Sequence, residues 1–169
     1  MSEQENGGGA AGVASSSRHA ARLAAVQALY QMDLTQRDLS EVLAEFVLHR
    51  FENAEITAYK DADRVFFRDI VSGTVEKQLE VDKEIASYLA ESWRLSRIDS
   101  ILRALLRSGV YELIARRDVP ARAVINEYVE IAHDFFGGDE PGVVNGVLDR
   151  VARQHRKNEF GRKSPKNSG

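Results

Sequence analysis

The sequence predicts an all-α fold of about seven helices, and three observations carry that prediction. Apolar residues recur at helical spacing in one segment after another. No run alternates apolar and polar residues between turn signals, as a half-buried strand would. Pro, Gly and Asp punctuate the chain where helices should stop and start. Hydrophobic residues make up 43% of the 169, enough for a proper core in a single domain.

Residues 1–16 are rich in Gly, Ala and Ser and are expected to form a disordered tail. The glycines of that run do not make a phosphate loop, because no strand precedes them and no Lys-Ser/Thr follows. Ser17 is the candidate N-cap of the first helix, which turns Leu23, Val26, Leu29 and Tyr30 toward the core. Arg18, His19 and Arg22 fall in its first turn. Free N–H groups and the positive dipole end of a helix attract anions, and two arginines one turn apart would deepen a phosphate site. A merely solvated helix end reads equally well from these residues.

Asp38-Leu39-Ser40-Glu41 has the spacing of a capping box, followed by Leu39, Val42, Leu43, Phe46 and Val47 on one face. A polar loop over 52–61 leads to a third helix, Ala62 to Glu76, in which Gly73 marks tight packing or a weak point. Asp82 is placed to cap a short fourth helix. Trp93 and Leu95 sit in a connector, and Ser96-Arg97-Ile98-Asp99 opens the fifth helix. With Ile98, Ile101, Leu102, Leu105, Leu106, Val110 and Leu113, that helix is the most apolar in the chain and is expected at the centre. Arg103 and Arg107 are expected to pair with acidic neighbours such as Glu112 or Glu127.

Val119-Pro120 cannot lie mid-helix, so a sixth helix starts there. Val124, Tyr128, Ile131, Ala132 and Phe135 form its apolar face, and Gly137-Gly138 stops it. Asp139 is placed to cap the seventh helix, with Pro141 in its first turn. That helix carries Gly142 and Gly146 four residues apart. Each mid-helix glycine costs ~1 kcal/mol against alanine, which suggests close approach of another backbone, either an internal helix or another molecule.

Net charge is −3 but unevenly spread. From Arg150 onward there are seven basic residues and one acidic, so the remainder stands at −9. The reading is an acidic body with a basic C-terminal segment: one helical domain over 17–156, divided at about 79/80 into subdomains, and a disordered basic tail over 157–169 that adds salt-sensitive affinity for a polyanion or merely solubility. Cysteine is absent, which excludes disulfides and thiol chemistry. No apolar run reaches the ~20 residues of a membrane span, and a soluble cytoplasmic protein is expected. The four histidines show no ligand spacing, the serines lack a nucleophile-elbow setting, and no metal or cofactor site and no enzyme is expected.

Val119-Pro120, Ile125-Asn126-Glu127, Phe136-Gly137 and Val144-Asn145-Gly146-Val147-Leu148-Asp149 occur in that order. Leu106-Arg107, Tyr111-Glu112-Leu113 and the stretch from Arg18 to Tyr30 precede them. Together they resemble the NusB family of transcription antitermination factors, from about Ser17 to about Arg156. The resemblance implies a NusB-like fold of two three-helix subdomains packed across each other. It implies binding of single-stranded boxA-type RNA in nascent rRNA transcripts, together with NusE, a small-subunit ribosomal protein. Other Nus factors and the RNA polymerase elongation complex are the further partners, and read-through is the outcome. A homodimer is compatible with the glycine-faced helix.

The resemblance carries RNA-binding roles onto Arg18, His19, Arg22 and Asp139, adds Gln27 to that surface, and gives Tyr30 a part in partner binding. Ala20 and Ala21 interrupt an arginine run that is often longer in the family, which lowers the number of phosphate contacts. Val143 stands where an aromatic side chain often does. A NusB-like domain also begins an rRNA cytosine methyltransferase, but no Gly-rich strand–turn–helix unit or cysteine nucleophile is present here. A helical interaction adaptor without specific RNA binding is the other reading.

Overall fold

The computed structural model describes the backbone of residues 7–52, 59 and 61–161, with side chains from Ser16 onward. Seven α-helices follow in order: α1 (Gly7–Thr35), α2 (Leu39–Glu45), α3 (Arg64–Glu76), α4 (Gln78–Tyr88), α5 (Ser100–Ala115), α6 (Ala121–Phe135) and α7 (Glu140–His155). A π-helical turn, Phe46–Phe51, extends α2, and a 3₁₀ turn, Lys157–Glu159, follows α7. There is no strand among the described residues.

The helix with the most continuous apolar sequence sits at the centre. α5 packs against α1 and α3 on one side and against α4, α6 and α7 on the other. Leu102, Leu105, Leu106, Val110 and Leu113 are fully buried along it. Around it stand two groups of three, α1–α2–α3 and α4–α6–α7, each packed within itself. The first group closes on an aromatic cluster. Phe46 stacks on Phe67 at 5.4 Å, and Phe51 meets Phe67 edge-on at 5.0 Å.

Local signals set most boundaries. Asp63 accepts from the Phe66 N–H (3.0 Å) and caps α3, and Asp99 accepts from the Ile101 N–H (2.7 Å) and caps α5. Asp38 precedes α2 but makes no cap bond; its carboxylate instead accepts from the Ser40 hydroxyl at 2.7 Å. Asp82 lies inside α4, which starts at Gln78, and its carboxylate binds Arg107. Gly73 is a site of tight packing: a Cβ there would overlap the Tyr111 ring, so α3 and α5 meet at its bare backbone.

Three expectations are revised. The stretch assigned to a tail over 1–16 is helical from Gly7, so α1 begins upstream of Ser17 despite the glycines there. Nothing approaches Gly142 or Gly146 within 4 Å of where a Cβ would stand, so no internal helix explains that pair. The third concerns the expected end of the domain at Arg156. Arg156 is buried and donates to the carbonyls of Leu113 (2.8 Å) and Arg116 (2.7 Å), which end α5, and to that of Val119 (2.8 Å). It also pairs with Glu159, whose other carboxylate oxygen accepts the Ala121 N–H at the start of α6 (2.9 Å). Arg156 and Glu159 thereby satisfy two helix ends at once. The expected boundary at 157 falls inside this fastening, and residues 162–169 of the expected tail lie outside the described residues.

Candidate nucleic-acid interface

α1 and α6 run side by side in the same direction. His19 meets Glu127 near one end, and Tyr30 and Leu34 share a groove with Phe135 at the other. At 1.5 Å per residue the strip between Glu127 and Phe135 is about 12 Å long. Asp139 lies four residues beyond Phe135, exposed at the start of α7. The seam thus gathers most of the residues singled out in the sequence, yet it changes what they do.

Arg22 is buried, with its side chain 4% exposed, against Glu112 at 0%. Its Nε and Nη2 both donate to that carboxylate, the shortest bond being 2.6 Å. Burial alone would pull the guanidinium down, but Glu112 outweighs it and holds Arg22 above its ordinary value. The Tyr128 hydroxyl is buried beside this pair. Burial first, and then the Glu112 charge, push it well above the usual tyrosine range. Arg22 is a core ion pair, not a phosphate ligand. Its N–H belongs to the middle of a helix that starts at Gly7, so the free helix-end groups expected beside it are absent.

Arg18 remains at the surface, 36% exposed by its side chain, with Asp118 4.0 Å away. Its guanidinium lies 4.8 Å above the Phe66 ring, which Arg22 and Arg116 also face at 5.0 and 4.9 Å. Arg116 binds Asp118 (3.0 Å) and Asp69 (3.1 Å). The hydrogen bond to Asp118 is the largest influence holding Arg116 above its ordinary value, and its counterpart holds Asp118 below the usual carboxylate range. Three arginines here face four carboxylates: Asp69, Glu112, Asp118 and Glu127. The expected cationic patch therefore carries no excess positive charge in this chain.

His19 Nδ1 lies 2.6 Å from Glu127 Oε2, and Glu130 stands one turn along on the same face. Gln27 is engaged: its side-chain oxygen accepts from the Tyr59 hydroxyl. Tyr30 is half-buried in an open groove of about 320 Å³ with Val26, Leu34, Ile101 and Phe135. Leu34 is 57% and Phe135 37% exposed. The sequence placed Phe135 in the core; the groove uses the edge of the same wide apolar face. Asp139 makes no cap bond, leaving its carboxylate free of that duty.

The sequence missed the acidic partners. Arg103 pairs with Asp33 (2.7 Å) and Arg107 with Asp82 (2.8 Å), while Glu112 and Glu127 serve α1 instead. A single glutamate in the otherwise apolar middle of α5 was the available signal for a buried pair.

Residues 19–153 match the family model described as NusB family. A transcription antitermination protein NusB of Rhodopseudomonas palustris (strain HaA2) is 53% identical over 146 residues, covering 86% of each chain. One from Bradyrhizobium sp. (strain ORS 278) is 53% identical over 147 residues, covering 86% of this chain and 88% of that one. Among solved structures, T. maritima NusB superposes with TM-score 0.69 at 34% identity, covering 85% of this chain and 96% of its own. A chain from the crystal structure of antitermination factors NusB and NusE in complex with dsRNA superposes with TM-score 0.66 at 26% identity, covering 81% and 96%.

Proposed function

The chain belongs to the NusB family, and from that premise we propose that it is a transcription antitermination factor. It binds boxA-type RNA in nascent rRNA transcripts jointly with NusE, and acts in the cytoplasm within the RNA polymerase elongation complex alongside other Nus factors. The observation that carries this is the 53% identity over 86% of the chain to proteins named for antitermination. The likeness to a NusB chain solved with NusE and dsRNA supports the RNA and the protein partner together.

The α1–α6 seam is the proposed working surface. Arg18 supplies a phosphate contact, positioned flat by Phe66. Asp139 accepts from a base amino group, which gives sequence preference where an arginine on phosphate gives none. The groove at Tyr30 receives NusE, because Leu34 and Phe135 expose apolar surface there, with Arg50 also in its lining. No catalytic step is assigned. The lack of excess positive charge favours a second reading, an adaptor that holds a protein partner without specific RNA binding.

Fluorescence anisotropy with labelled boxA-type RNA, with and without NusE, separates the two. Tighter binding with NusE and loss on scrambling the RNA is the expected result. Weak, sequence-blind binding that NusE leaves unchanged establishes the adaptor.

A further inference from the structure

We propose that His19, Glu127 and Glu130 form a binding site for a first-row divalent transition-metal ion of the zinc and cobalt class. One ligand atom from each lies within 4.8 Å of the others. Glu127 and Glu130 are three apart on α6 and share a face, and His19 is brought against them from α1. Metal–ligand bonds of ~2.0–2.2 Å place donor atoms about 3.4 Å apart around a tetrahedral ion. The Nδ1–Oε2 pair at 2.6 Å has to open by about 0.8 Å to reach that spacing. Glu130 is exposed and free to close the rest of the distance.

The charge pattern favours a cation. His19 and Glu127 satisfy each other, so Glu130 adds an uncompensated carboxylate one turn away from a like charge. The nearest cation, Arg22 Nη1, lies 3.6 Å from Glu127 but is committed to Glu112. An ion between the three groups removes the repulsion and fastens α1 to α6. The imidazole among the ligands favours zinc or cobalt over the oxygen-seeking magnesium and calcium. Three protein ligands leave a coordination position open to solvent on the Glu130 side. The approach of His19 to the two glutamates is not visible in the sequence, where His19 and Glu127 are 108 residues apart.

Titration of the full chain with Co²⁺, followed by visible absorption, tests the proposal. One Co²⁺ per chain should bind, be displaced by Zn²⁺, and survive about a hundredfold excess of Mg²⁺. His19→Ala and Glu130→Gln should each weaken binding ~10-fold or more. Glu130 is exposed, so its variant keeps the fold, as circular dichroism will verify. Co²⁺ binding unchanged in both variants, lost only on His133→Ala, or displaced by Mg²⁺ overturns the site.

Discussion

Arg22 shows how far burial can redirect a residue. In the sequence it is the second arginine of a helix turn and looks like a phosphate ligand. In the fold it meets Glu112 at 2.6 Å in a site neither side chain shares with water. Removing one partner of a buried pair leaves the other charge stranded, which costs ~3–5 kcal/mol. Arg22→Ala should therefore lose that much stability in urea unfolding. Arg18→Ala should lose less than ~1 kcal/mol, because Arg18 is half-exposed and 4.0 Å from Asp118. RNA affinity should respond in the opposite order once folded protein is compared with folded protein: Arg18→Ala weakens it and Arg22→Ala leaves it. Equal stabilities for the two variants contradict the buried pair.

At the scale of elements, what the sequence made legible was local. The apolar spacing of α5 and the proline before α6 are signals carried within a few residues, and they placed those helices, whereas the caps Asp63 and Asp99 set the starts of α3 and α5 a few residues later than the sequence reading places them. The pairing of charges was not local. Arg22 and Glu112 are 90 residues apart, and Arg103 takes Asp33 from 70 residues away, so no pattern along the chain announces either. Glycine is the same case, since its meaning depends on what stands opposite. Gly73 faces the Tyr111 ring, whereas Gly146 faces open space. Gly73→Ala should push α3 from α5 and cost ~1–3 kcal/mol or more. Gly146→Ala should stabilise α7 by up to ~1 kcal/mol. Thermal unfolding of the two variants checks this; shifts of the same sign would mean that one of the two environments is not as described.

For the whole molecule the question is where RNA finds positive charge. The body is acidic, and the arginines of the α1–α6 seam already have carboxylates. Arg156 is spent on the ends of α5, and Arg153 on Asp149 and the Phe160 ring. Beyond Gly161 the sequence still holds Arg162, Lys163 and Lys166 with no acid among them. A truncation that tests this charge must start at Arg162. One starting at Lys157 would remove Glu159 and free the Ala121 N–H and Arg156, confusing charge with folding. Each phosphate neutralised on a single strand contributes ~0.7 to the slope of log affinity against log salt. Deleting residues 162–169 should therefore lower that slope by up to ~2, while the melting temperature stays put. A slope that does not change would place the RNA-binding charge on the folded body, with Arg18, or on NusE. Adding NusE to the truncated chain then distinguishes these: recovery of the intact protein's slope puts the missing cations on the partner.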